Sequence, residues 1–109
     1  MPRAMLVSLL ALLAPAALAQ EPGSPGRGQV YAERTCAECH AIKPAAALSP
    51  NPGAAPFQVI ADTPGMTARA LSVWLRTTHK TMPNLIIGDD DRDDVIAYIT
   101  SLRRAQSGK

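Results

Sequence analysis

The sequence predicts an all-α fold with one small core, on three observations. Two segments carry side chains at helical spacing: Leu71, Trp74, Leu75 and Thr78 recur at i, i+3, i+4 and i+7, and Val95, Ile96, Ile99 and Leu102 line one face of a later run. Prolines at positions 44, 50, 52 and 56 exclude a continuous helix across residues 42–57 and leave a loop there. Of the 90 residues from Gln20 onward, only 16 are Leu, Ile, Val or Phe. A core that thin rarely holds such a chain together without disulfides, a metal or a bulky prosthetic group. Something other than side chains has to fill the centre.

The amino-terminal stretch stands apart from this domain. Arg3 precedes an apolar run over residues 4–13, Pro15 breaks it, and Ala17-Leu18-Ala19 offers small residues at both recognition positions of a signal peptidase. Residues 1–19 therefore read as a secretory signal cleaved before Gln20, since a membrane anchor needs ~20 uninterrupted apolar residues. Export leads to an oxidising compartment, the periplasm of a bacterium, where a cysteine pair becomes a disulfide unless something else consumes it. Residues 20–27 are rich in Pro, Gly and Ser and read as a flexible leader. A domain over 28–104 and a tail over 105–109 follow. From Gln20 on, ten Lys/Arg face nine Asp/Glu, so the basic excess of a nucleic-acid binder is missing.

Residues 28–35 are short and polar, and a helix there must rest on packing through Val30, Tyr31 and Ala32. It runs into Cys36-Ala37-Glu38-Cys39-His40, which holds both cysteines of the chain. C-x-x-C-H is the covalent haem attachment pattern. Two thiols one helical turn apart each add to one vinyl group of the porphyrin, and the next side chain is aimed at the iron. Cys36 and Cys39 are then the thioether anchors and His40 the proximal ligand through Nε2. A redox dithiol of the thioredoxin kind would sit beside a βαβ pattern, and no alternating β-branched run precedes residue 36. A zinc site would need Cys39 and His40, adjacent in the chain, to reach one tetrahedral ion together.

On these residues the chain resembles the class I c-type cytochromes, with the likeness extending from about Gly28 to Leu102. That resemblance implies three to four helices packed around one covalently bound haem c. It also implies that Gly28, eight residues before Cys36, lies against the last helix. An aromatic residue usual four before the first cysteine is replaced here by Ala32, with Tyr31 beside it. In the family a backbone carbonyl near a Pro-x-apolar element accepts the proximal imidazole's Nδ1 proton and fixes its tautomer. Pro50-Asn51 and Ala55-Pro56-Phe57 both offer such an element, and Pro50 is accordingly counted with the cofactor-binding residues.

Phe57, Ile60 and Ala61 predict one short helical turn ended by Pro64-Gly65, and Thr67 can cap the helix that follows. The face bearing Trp74 meets the haem, where the indole either fills the core or donates to a propionate. The sixth ligand has four candidates: Met66, His79, Lys80 and Met82. Met82 lies in Thr81-Met82-Pro83-Asn84, between two helical patterns, and the resemblance places the distal methionine before a proline at this point. A thioether favours Fe(II), so His40/Met82 ligation raises the reduction potential. His79 is the competitor, its plainer reading being a solvent-facing residue at a helix end.

The last helix opens on Asp89, Asp90, Asp91, Asp93 and Asp94 and ends near Arg103 and Arg104, which complements the helix dipole. No loop glycine stands among those carboxylates as a calcium loop requires. The expected function is that of a monomeric one-electron carrier, not an enzyme, passing electrons between periplasmic redox proteins through an exposed haem edge. Apolar loop residues near Ile42 and Ala45 to Ala47 would make the contact, with modest steering from Lys43 and Lys80. The alternatives are a subunit of a dehydrogenase or oxidase and, more remotely, a gas-binding or peroxidase-like haem protein.

Overall fold

A computed structural model of the chain describes residues 22–77, 79 and 81–104. The signal segment, Gln20 and Glu21 of the leader, Thr78, Lys80 and the 105–109 tail lie outside the described residues. The fold is all-α: four helices, α1 (Pro25–Thr35), α2 (Phe57–Asp62), α3 (Ala68–Arg76) and α4 (Asp89–Ser101), with no strand among the described residues. No helix there is long and apolar enough to cross a membrane.

α1 starts three residues before the expected position and absorbs the end of the supposed leader. Pro25 suits a first helical turn, and the Ser24 hydroxyl accepts from Arg27 N at 3.4 Å. What fixes these residues comes from 70 positions away. The buried Asp94 carboxylate accepts from Ser24 N at 2.7 Å and from Arg27 Nε at 2.9 Å. A segment that reads locally as flexible is thus held by α4. The packing face of α1 holds Gly28, Tyr31 and Ala32 as expected but not Val30, which is exposed. Gly28 sits where α1 crosses α4, and a β-carbon there would overlap the Asp94 carbonyl and stand 2.8 Å from Tyr98 Cβ.

α4 forms the spine, with Val95, Ile96, Tyr98 and Ile99 all buried. Tyr98 carries its hydroxyl to the Ile42 carbonyl at 2.7 Å, tying the proximal loop to the last helix. Ile42 is buried with it, which removes it from the exposed contact surface expected of that loop. Gln58 links three segments: its Oε1 accepts from Ala45 N at 3.0 Å, and its Nε2 donates to Asp62 at 3.0 Å and to the Leu102 carbonyl at 2.6 Å. Ala45 needs that hold, because its φ of 60° is costly for a residue with a β-carbon.

α3 is capped as its sequence predicts, Thr67 Oγ1 accepting from Ala70 N at 3.1 Å, but it ends at Arg76. α4 ends at Ser101, and the two arginines beyond it do not simply decorate its dipole. Arg103 donates to the Ala61 carbonyl at 3.0 Å and to that of Met66. Arg104 reaches the Asp62 carboxylate through its backbone N–H and its Nε, each at 2.9 Å. The Arg104 backbone N–H, the Gln58 amide and the Arg104 guanidinium together hold the Asp62 carboxyl down at about 2.

Candidate functional site

Where α1 ends, the chain keeps turning. Cys36 N donates to the Ala32 carbonyl at 2.8 Å and His40 N to the Cys36 carbonyl at 2.9 Å, so residues 36–40 continue as a helical turn. Both thiols are free, and with His40 they line a cavity of about 490 Å3, within the range of cofactor sites. Every later element contributes a wall: Phe57 and Ile60 from α2, Leu71, Trp74 and Leu75 from α3, and Val95 and Ile99 from α4. The segment between α3 and α4 adds His79, Met82, Leu85 and Ile87. Burial pushes the Cys36 thiol up to about 11, opposite to the depressed value that a redox-active dithiol needs.

The imidazole of His40 is held from two directions. Its Nδ1 lies 2.6 Å from the Ala55 carbonyl oxygen, and the Phe57 ring packs on it at 5.4 Å between centroids. A carbonyl oxygen only accepts, so the proton sits on Nδ1 and Nε2 keeps its lone pair for a metal. The partner is therefore Ala55, not a carbonyl at Pro50, which is exposed and does not line the cavity. The reason is a turn just after Pro50. Asn51 N donates to the Cys39 carbonyl at 3.1 Å and Asn51 Oδ1 accepts from Gly53 N at 2.9 Å, so the chain doubles back and presents Ala55.

On the far wall, His79 and Met82 line the same cavity. His79 does not face solvent at a helix end as expected. With α3 finished at Arg76, it belongs to the segment entering the cavity, and its ring packs on Trp74 at 4.2 Å. Trp74 is 52% exposed, so its indole walls the cavity and is not core filling. Met66 also lines the cavity. Lys43 lies 3.9 Å from Glu33, both on the surface.

Two anchoring thiols a turn apart, an imidazole with Nε2 free and otherwise mostly apolar walls form a donor set suited to a porphyrin iron. Among the described residues no three His, Cys, Asp or Glu side chains gather as a site for a bare metal ion. Three further residues shape this arrangement, and two of them, Gln58 and Arg92, give no signal in the sequence. Phe57 supports the imidazole, Gln58 braces the proximal loop, and Arg92 is a buried charge beneath the segment that carries Met82. No local pattern singles out the last two: Gln58 is the second residue of a six-residue helix, and Arg92 stands among five aspartates, where it reads as one more solvated charge.

The profile of the family described as Cytochrome c matches residues 26–103. The chain is also 31% identical over 78 residues to the Cytochrome c-552 of Bradyrhizobium diazoefficiens, an alignment covering 72% of this chain and 74% of that protein. No solved structure matches it. Sequence likeness across the four helices and a cavity whose donors call for covalent haem c lead to one conclusion: the chain belongs to the cytochrome c family.

Proposed function

We propose that the protein is an exported one-electron carrier whose haem iron is held by His40 and Met82 and which passes electrons between periplasmic redox proteins. When bound, haem c supplies the single-electron couple; the chain supplies its surroundings. The observation that carries this reading is the fixed tautomer of His40, with Nε2 left free, in the same cavity that Met82 lines. Filling both axial positions with protein side chains suppresses exchange with outside ligands, and rigid walls limit rearrangement as the charge on iron changes. The thioether raises the reduction potential relative to a second imidazole. Leu85 and the fully exposed Ile86 stand on the segment beside the cavity and offer an apolar contact for a transient partner, in the place first expected of Ile42.

The decisive experiment compares Met82→Ala with His79→Ala. Sulfur ligation to ferric iron gives a weak charge-transfer band in the far red. That band vanishes in Met82→Ala and persists in His79→Ala, while Met82→Ala alone gains ready binding of carbon monoxide in the ferrous form. Loss of the band in His79→Ala, or its survival in Met82→Ala, would refute the assignment.

A further inference from the structure

Three polar side chains are buried among the described residues: Gln58, Asp94 and Arg92. The first two use their hydrogen-bonding groups in tying segments together. Arg92 differs, because its Nε is buried with no partner. Its side chain is 8% exposed, whereas that of its ion-pair partner Asp89 is 89% exposed. A guanidinium taken out of water and paired with one solvated carboxylate is poorly compensated, and an apolar side chain would fill the same corner at less cost.

What the charge touches gives the reason for its place. Arg92 lies three residues before Val95 and seven before Ile99, which both line the cavity, so it extends the cavity face of α4 by one turn. There its Nη1 donates to the Ile87 carbonyl at 3.4 Å and its Nη2 donates to Asp89. Ile87 is buried and lines the cavity. The segment between α3 and α4 has little structure of its own. Among the described residues its internal backbone hydrogen bonding is a single contact, from Leu85 N to the Pro83 carbonyl at 2.8 Å. One end is held by the ring contact of His79 with Trp74, and the other by Arg92 on Ile87.

We propose that Arg92 is a positioning residue for the distal segment, holding Ile87 from behind so that Met82 stays within reach of the iron. This rests on the reading of Met82 as the axial ligand. The planar fork suits the task, since two separate nitrogens in a fixed geometry take the carbonyl and Asp89, a spread that the single nitrogen of a lysine does not match.

The test uses the haem-loaded protein and Arg92→Met, with Asp94→Asn as a destabilised control on the opposite, α1-facing side of α4. In Arg92→Met the far-red band weakens. Carbon monoxide adds to the ferrous form about tenfold faster or more, a factor equal to about 1.4 kcal/mol in the opening of the site. Amide hydrogen exchange quickens across residues 82–88. Asp94→Asn melts lower yet keeps the wild-type band, carbon monoxide rate and exchange in that segment. Should Arg92→Met fail to fold, Arg92→Lys replaces it, with the same three readouts moving in the same direction to a smaller extent. Wild-type values of all three in the folded variant overturn the proposal. The exchange readout does not depend on which side chain binds iron, so a wild type lacking the band sinks the Met82 reading separately.

Discussion

A single hydrogen in place of a methyl group decides how α1 meets α4. At Gly28 a β-carbon has no space against the Asp94 carbonyl and the Tyr98 side chain, and the obstacle is backbone that cannot step aside. Gly28→Ala should therefore cost about 3 kcal/mol or more, read from chemical denaturation of the haem-loaded protein. Removing the Tyr98 hydroxyl is milder. Tyr98→Phe strands a buried carbonyl at Ile42 and should cost about 1–3 kcal/mol. Gly28 was legible through the family resemblance, which ties its role to its distance of eight residues before Cys36. Gln58 and Arg92 were not, since what makes each necessary, a loop amide at Ala45 or a carbonyl at Ile87, becomes adjacent only after folding.

Between elements, carboxylates do much of the tying. Asp94 holds the start of α1, and Asp62 at the end of α2 takes the arginine beyond α4. Both carboxyls lie below the ordinary range when folded, Asp94 through the Arg27 guanidinium and then the Ser24 amide, and Asp62 at about 2. Folding thus releases protons. The stabilisation is fully present above the unfolded-state value near about 4 and is lost as the pH falls from there toward about 2. Asp62→Asn should lose less stability than wild type over that interval in urea titrations at stepped pH, and equal slopes would count against the tie. The helices themselves were legible from spacing and caps. The start of α1 and the work of Arg103 and Arg104 were not, because long-range carboxylates and carbonyls override the local signals of leader and dipole.

Across the whole molecule, the centre is built to be completed by haem c. Val95 is the sole large side chain that is fully buried among the described residues, and α2, α3 and α4 all turn apolar side chains into one cavity. The double variant Cys36→Ala, Cys39→Ala should leave a largely unfolded chain, a greater loss than a core truncation of about 2–5 kcal/mol. A cooperative melt with native-like helical circular dichroism in that haem-free variant would contradict the idea. Net charge of +2 provides little field for steering. Electron-transfer rates should accordingly depend only shallowly on ionic strength, and a fall of about a hundredfold from low to physiological salt would reveal a charged docking patch.

The docking of α1 on α4 joins the first helix of the domain to the last, and it therefore sets a direction in time. During synthesis, α1 is made before the partner that holds it, since the 66 residues from Cys36 to Ser101 have still to be added when Thr35 is joined. At ~5–20 residues per second that interval lasts roughly 3–13 s. Through it, Asp94 has not yet reached Ser24 and Arg27, and Tyr98 has not yet closed over the Ile42 carbonyl. The two thiols spend that time on an open chain. The order of the helices thus leaves the wall that α4 gives the cavity until last, when Cys36 and Cys39 are both already in the chain.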